Sequence, residues 1–370
     1  MKTTAELTPL LATHPGEIIK DELIAMETSQ SDFAKLIGIK RSQLNEIIKG
    51  KRGINAELAF LLEKTLGIDA DFWMEAQKNY EMDLARIKLR DSKRFEAIEK
   101  FEFIKDKIAY KFLRKEKVLS GDPTEDIQKI QGIYQIDHFE QLVIINLQPQ
   151  FTRFRKSLKL KIDPINIIGW TKLVQFQVKL LTVKEFNQEE QKELIDELKK
   201  IFKENDNTLV KVQNCLKEYG IKLAYQDKGK KTPVDGVSFW SEGNPAIGMT
   251  LRYNRIDYFA FTLFHELGHI YKHLVNNNKA EFIDLDPKQE SLEYKNSIEE
   301  KEANEFATNS LISKDHWNEY VSRHGDYPLN DNSIISYSEE IKIHASILRG
   351  RICYKTGVYN RRTAIDYQIK

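Results

Sequence analysis

The chain has 370 residues, and its 57 Lys and Arg against 56 Asp and Glu leave a formal net charge of +1. This length predicts two or three domains, and 41% hydrophobic with 31% charged residues is typical of a globular protein. With only two cysteines, Cys215 and Cys353, no apolar run approaching ~18 residues and no signal-peptide core, we expect a cytoplasmic protein without membrane partners.

Two short helices joined through a glycine are predicted near the N-terminus. A capping pattern, Ser29-x-x-Asp32, opens the first helix, which ends at Gly38. A second amphipathic helix then runs over 40–50. Its inward residues are Leu44, Ile47 and Ile48. This is the helix-turn-helix plan, in which the second helix enters the major groove of DNA by its N-terminal residues.

Cations and amides surround this second helix, and they suit double-stranded operator DNA. Lys and Arg bind phosphate or guanine, while Asn and Gln can recognise adenine. The predicted DNA contacts are Gln30, Lys40, Arg41, Ser42, Gln43, Asn45, Lys49, Lys51 and Arg52. Because the whole chain is nearly neutral, this basic cluster is local. A helical module that binds protein is the alternative.

Three further patterns flank these helices: His14-Pro15-Gly16-Glu17, Gly50–Ala59 and Asp71-Phe72-Trp73-Met74-x-x-Gln77. With them, residues 12–85 resemble HigA-type antidote proteins of the Xre helix-turn-helix class. The resemblance implies a homodimer on a palindromic operator and, in toxin–antitoxin pairs, neutralisation of a ribonuclease toxin. Fusion to further chain departs from that family, so a toxin partner stays open.

The middle of the chain is predicted to be helical. Residues 86–117 are rich in both charges, and 151–203 carry further helical patterns without identifiable chemistry. A turn at 120–124 is a candidate domain boundary.

The clearest chemical pattern is His265-Glu266-Leu267-Gly268-His269. On a helix, His265 and His269 project from one face and can bind one metal ion, while Glu266 can act as base toward water. Two solvated helix histidines are the alternative. His273 continues the series, but it would lie about 12 Å from His265, too far to share the ion, so we expect a structural role for it.

A third ligand is predicted from the helix that begins after Ser297. Its buried stripe is Ala303, Phe306, Ala307 and Leu311. Glu300 projects close to this stripe and is the favoured ligand, with Glu302 or Glu299 as alternatives. Asn304, one turn later, is placed to hydrogen-bond a ligating histidine.

Several linked patterns accompany these residues: Asp235–Trp240, Pro245–Tyr253, Phe261–Phe264 and Glu300-x-Glu302-Ala303-Asn304-x-Phe306-Ala307. Together they make residues 201–312 similar to the ImmA/IrrE family of bacterial and phage metallopeptidases. The resemblance implies Zn²⁺, with Mn²⁺ as an alternative, on His265, His269 and Glu300. It also implies Glu266 as the catalytic residue and a helix-turn-helix repressor as substrate. Asn304 stands where many members have Asp.

We therefore predict a mainly α chain with an α+β part. It comprises a helix-turn-helix domain over 1–85, a helical connector over 86–200, and a zincin-like metallopeptidase domain with a small sheet over 201–370. The favoured function is a DNA-binding transcriptional regulator with zinc endopeptidase activity against a repressor-type protein, in trans or on its own connector. Residues 246–251 are expected to form a strand, which can pair with a substrate backbone if it lies at a sheet edge. The alternative is an antitoxin or repressor of a toxin–antitoxin or phage-type operon with a silent or structural metal site.

Overall fold

The computed structural model describes residues 9, 11–148, 163–286, 292–325 and 329–370, without the side chains of 89–92 and 292. The chain divides into two compact units, Met1–Glu102 and Phe103–Lys370. The predicted boundaries, at 85/86 and 200/201, do not coincide with this division after Glu102. Part of the predicted stretch 151–203, namely 151–162, lies outside the described residues. The described helices include none that is long and apolar enough to cross a membrane.

The first unit is built from helices. They are α1 (Gly16–Ala25), α2 (Gln30–Leu36), α3 (Arg41–Ile48), α4 (Ala56–Leu66) and α5 (Ala70–Ile104), the last of which ends just inside the second unit. Phe33, Leu44 and Trp73 lie at the centre of its core and are fully buried. The sequence marks the ends of α4: the Asn55 side chain accepts from Leu58 N–H, and Gly67 closes the helix in the left-handed conformation.

The second unit is an α+β body. Its helices are α6 (Tyr110–Lys115), α7 (Pro123–Tyr134), α8 (Gln141–Asn146), α9 (Pro164–Lys179), α10 (Gln191–Glu204), α11 (Thr208–Glu218), α12 (Ile256–His269), α13 (Leu292–Lys295), α14 (Ile298–Leu311), α15 (Lys314–His324), α16 (Asp331–Glu340) and α17 (Ala345–Thr356). Its strands are β1 (Lys222–Tyr225), β2 (Val234–Ser241), β3 (Asn244–Met249) and β4 (Glu281–Leu285). The predicted fold class, mainly helical with a small sheet, is confirmed.

The four strands form a mixed sheet in the order β1-β3-β2-β4. β3 is parallel to β1 and antiparallel to β2, and β4 is antiparallel to β2. The strand predicted at 246–251 is found as β3, but β1 and β2 take both of its edges, so the condition for pairing with a substrate is not met. Strand order depends on pairing between distant segments, which local alternation does not show.

Part of the predicted connector packs directly on this sheet. The indole N–H of Trp170, on α9, donates to the carbonyl of Gln226 at 3.1 Å, and Gln175 donates to Glu281 on β4. The turn at 120–124 is also tightly held, since buried Asp126 accepts hydrogen bonds from Ser120 N–H and Gly121 N–H. The chain does turn at 120–122, but α7 already begins at Pro123, and the segment lies within the second compact unit.

Helices α12 and α14 pack closely because small residues face each other. A Cβ added to Gly268 would lie 2.9 Å from Cα of Ala303, so no larger residue fits at 268 without moving backbone. This close approach brings the inward side of α14 against the predicted ligand face of α12.

Candidate nucleic-acid interface and candidate metal centre

The first candidate site is the pair α2 and α3. The Ser29 side chain accepts from Asp32 N–H at 3.1 Å, which confirms the predicted cap of α2. Gly38 has φ +74, and Ile39 N–H donates to the carbonyl of Ala34 at 2.9 Å. The left-handed glycine lets the chain turn within four residues into α3.

The inward face of α3 is as predicted, with Leu44, Ile47 and Ile48 buried. The predicted DNA contacts divide by exposure. The exposed ones are Lys40, Arg41, Ser42, Lys49, Lys51 and Arg52, and the half-buried ones are Gln30, Gln43 and Asn45. Lys49 follows the C-terminal end of α3, about 12 Å along the helix axis from Arg41 at 1.5 Å per residue.

Several residues of the HigA-like patterns make hydrogen bonds or close packing contacts around α3. Nδ1 of His14 accepts from Gly16 N–H at 2.9 Å, and a Cβ on Gly16 would lie 2.1 Å from the carbonyl oxygen of Ile47. Six residues after α3 ends, Ile54 N–H donates to Gln77 at 3.0 Å. These residues therefore hold the C-terminal end of α3 and the segment that follows it.

The second candidate site lies where α12, β4 and α14 meet. Nε2 of His265 lies 3.0 Å from Nε2 of His269, 3.1 Å from Asp284 Oδ2 and 3.5 Å from Glu300 Oε2. Nε2 of His269 lies 3.5 Å from Asp284 Oδ2 and 3.4 Å from Glu300 Oε1. The four side chains are buried, and their ligand atoms all lie within 4.8 Å of one another. The structure thus brings the three predicted ligands together and adds Asp284.

These separations suit a divalent metal. A tetrahedral ion with bonds of ~2.0–2.1 Å keeps its ligand atoms about 3.3 Å apart, within the range of the contacts given above. Among the described residues, Asp284 Oδ2 and Glu300 Oε1 have no hydrogen-bond partner other than the ring nitrogens of the two histidines. Buried carboxylate oxygens need a partner, and a cation is one. The donor set therefore fits Zn²⁺ or Mn²⁺, and metal binding itself stays a prediction.

The charges of the cluster depend on one another. Burial by itself lowers the pKa of His265, but the neighbouring Asp284 and Glu300 carboxylates raise it well above its ordinary value. Burial by itself raises the pKa of Asp284, but His265 and His269 hold it well below its ordinary value. Asp284 is therefore ionised, as a metal ligand must be, and a metal would have to displace a proton from His265.

Glu266 is fully buried beside this cluster. A Cβ on Gly236 of β2 would lie 1.9 Å from Glu266 Oε1, so the absent side chain makes the room for this carboxylate. Neither oxygen of Glu266 has a hydrogen-bond partner among the described residues. Burial, and then the charge of Asp284, raise the pKa of Glu266 well above its ordinary value, which makes its ionised form a stronger base.

Neighbouring side chains orient the two histidines. Asn304 Oδ1 lies 3.2 Å from His265 Nδ1, the contact predicted for it. The ring of Phe282 stacks on His269 with centroids 4.3 Å apart. His273 is outside the four-residue cluster, as expected, and its Nε2 lies 3.2 Å from the carbonyl oxygen of Glu299.

The structure distinguishes between the glutamates that the sequence left open as the third ligand. Glu300 faces the histidines, whereas Glu302 Oε2 lies 3.7 Å from His273 Nδ1 and its side chain is half exposed. Asp284 was missed because its position depends on pairing between β4 and β2. The one available signal is the alternation of 281–285, which places Phe282 and Asp284 on the same face of a strand.

Comparison with known proteins identifies the family of the N-terminal segment. The helix-turn-helix family model matches residues 19–73. Virulence-associated protein A' of Dichelobacter nodosus is 39% identical over 70 residues. These residues are 19% of this chain and span 61% of the length of that relative. Virulence-associated protein I of the same organism is 37% identical over 20% of this chain and 69% of its own length. Through this segment the chain belongs to the helix-turn-helix family that includes virulence-associated protein I.

A solved structure is similar to part of this chain. It is an addiction module antidote protein of a HigA family from Coxiella burnetii, 31% identical, with 22% of this chain and 91% of that chain covered and a TM-score of 0.22.

Proposed function

We propose that this protein is a DNA-binding transcriptional regulator whose second unit is a metal-dependent endopeptidase acting on a repressor-type protein. The DNA-binding part is supported by the helix-turn-helix family match and by the exposed cations around α3. The observation that carries the peptidase part is the convergence of His265, His269 and Glu300 beside the buried carboxylate of Glu266.

His265, His269 and Glu300 would hold the ion. When bound, Zn²⁺ or Mn²⁺ supplies Lewis acidity toward a peptide carbonyl and lowers the pKa of water. Glu266 would accept the proton from the attacking water, since its raised pKa favours proton uptake. Asn304 orients His265 through Nδ1, and the stacked Phe282 limits rotation of His269.

A helix-turn-helix repressor is the substrate class we propose, by resemblance to the ImmA/IrrE family. Cleavage in trans is favoured over cleavage at the chain's own turn 120–124. That turn is held by hydrogen bonds to buried Asp126, and a peptidase needs an extended backbone. A homodimer on an inverted-repeat operator and neutralisation of a ribonuclease toxin are proposed on the HigA resemblance alone.

A second candidate function is a transcriptional repressor or antitoxin whose metal site is structural. Two observations favour it: a fourth donor, Asp284, stands in the cluster, and Glu266 is fully buried. Structural zinc sites have four protein ligands, whereas catalytic sites keep one position open.

The experiment that separates these functions is intact mass spectrometry of the full chain incubated with Zn²⁺ or Mn²⁺ and candidate helix-turn-helix repressors. We expect fragments of the repressor with the wild type and none with Glu266→Gln, because this variant keeps the ligands and loses the base. If fragments form equally with both proteins, Glu266 is not the base. If neither protein yields fragments, and Asp284→Ala, which lacks the fourth donor, yields none either, the structural-site function replaces the peptidase.

A further inference from the structure

Asp284 lies on the face of β4 that is directed at His265, His269 and Glu300. It is paired in register with Gly236 of β2, the residue whose missing side chain leaves room for Glu266. Directly opposed residues of an antiparallel pair share one face of the sheet. Phe282, two residues earlier on the same face, stacks on His269. The strand therefore presents one aromatic ring and one carboxylate to the two histidines.

The two oxygens of Asp284 have different surroundings. Oδ2 lies 3.1 Å from His265 Nε2 and 3.5 Å from His269 Nε2, and apart from these two ring nitrogens it has no hydrogen-bond partner among the described residues. Oδ1 accepts a hydrogen bond from the hydroxyl of Tyr294, on α13, at 3.3 Å. One oxygen is thus held from outside while the other is directed into the cluster, as in a carboxylate that binds a metal through one oxygen.

The end of β4 is also anchored. The guanidinium of Arg252 bridges Asp235 and Asp286, two residues beyond Asp284, and the backbone N–H of Asp286 donates to the carbonyl of Pro233 at 2.8 Å. Asp284 is consequently fixed at the histidines by its neighbours along the strand as well as by Tyr294.

We infer that Asp284 is a fourth protein ligand of the metal centre and that it closes the coordination position which a hydrolytic water molecule would need. This inference rests on the metal centre of the proposed function and concerns its regulation. In the conformation described here, the second unit is a latent peptidase: Glu266 is in place as base, but water has no open position beside it. Activity requires Asp284 to withdraw, and Tyr294 is the positioning residue that opposes this.

The test uses the full chain loaded with Co²⁺, whose visible absorption reports the number and type of ligands, with acetohydroxamate as the added ligand. We expect the wild-type spectrum to be that of a four-coordinate ion and to remain unchanged with acetohydroxamate. In Asp284→Ala the spectrum should change when acetohydroxamate is added, because a position has opened. Competition with a chelator should show weaker metal binding, by about 10-fold in Tyr294→Phe and by more in Asp284→Ala.

Asp284→Asn, which keeps the side-chain volume, replaces Asp284→Ala if circular dichroism shows the latter unfolded. Glu302→Gln and Tyr354→Phe, at exposed positions, are the matched controls and should behave as wild type. A wild-type spectrum that changes with acetohydroxamate as much as that of Asp284→Ala would overturn the inference and leave the peptidase proposal standing. Equal chelator competition for wild type and both Asp284 variants would overturn it as well. If the wild type takes up no Co²⁺, this inference and the proposed metal centre fail together.

Discussion

At the scale of single residues, local periodicity predicts only part of the second site. His265 and His269 lie four residues apart on one helix, so their common face follows from helix geometry alone. Glu300 could be selected from its neighbours because the buried stripe of α14 can be recognised in the sequence. Asp284 could not be predicted this way, since its place beside the histidines depends on the pairing of β4 with β2.

The ligand assignment predicts metal content. We expect His265→Ala and Glu300→Ala to lose the ion, because each removes a donor from the cluster, and Glu266→Gln to retain it. Elemental analysis after dialysis against Zn²⁺ measures the ratio of metal to chain, expected near one in wild type. Glu302→Ala is the control and should match wild type. An empty site in Glu302→Ala but not in Glu300→Ala would show that the structure assigns the wrong glutamate.

The DNA interface predicts a division between specificity and affinity. Gln43→Ala should lower discrimination between operator and mutated operator by ~1–3 kcal/mol, if its amide makes a bidentate base contact. Lys51→Ala should weaken binding to all sequences and reduce the slope of log K against log salt by about one. Gel-shift titrations at several salt concentrations measure both effects. Lys64→Ala, exposed on α4, is the control. No change with Gln43→Ala would favour a protein-binding module.

At the scale of helices and strands, the helix-turn-helix could be predicted closely because its signals are local: the Ser29 cap, the left-handed Gly38 and the spacing of the buried residues of α3. The sheet could not be predicted in this way. Alternation suggests a strand at 246–251, but only the pairing of β3 with both β1 and β2 shows that it is central. The packing of α9 on the sheet is equally non-local.

The contact between α12 and α14 predicts the effect of one methyl group. Gly268→Ala places a Cβ against the backbone of Ala303, so α14 must move outward and carry Glu300 away from the histidines. We expect a loss of ~1–3 kcal/mol in the free energy of unfolding, typical of overpacking, together with weaker metal binding. Chemical denaturation and chelator competition measure the two. Gly243→Ala, at a position where an added Cβ meets nothing within 4 Å, is a comparison for glycine replacement without a packing clash, although its φ of +88 adds backbone strain.

At the scale of the whole molecule, the predicted DNA contacts and the metal cluster belong to different compact units. A chelator should therefore destabilise the second unit and leave operator binding unchanged. Metal at about 100 times its Kd contributes ~2.7 kcal/mol, and for a unit of this size that corresponds to about 5–10 °C in Tm. Calorimetry with and without EDTA, beside a gel shift under the same conditions, measures both. Loss of operator binding in EDTA would show that the two units are coupled.

The metal cluster draws on α12, β4 and α14, and this has a consequence for the order in which a growing chain becomes functional. The helix-turn-helix is complete within the first 102 residues, and the buried core around it is built from residues between Ile19 and Trp73. The cluster cannot assemble until residue 300 has been synthesised and β4 has paired with β2, a step that must close long loops. During synthesis at ~5–20 residues per second, the DNA-binding part therefore folds some ten seconds or more before any ion can be captured. On the proposed function, a newly made chain can bind operator DNA before it can hold a metal.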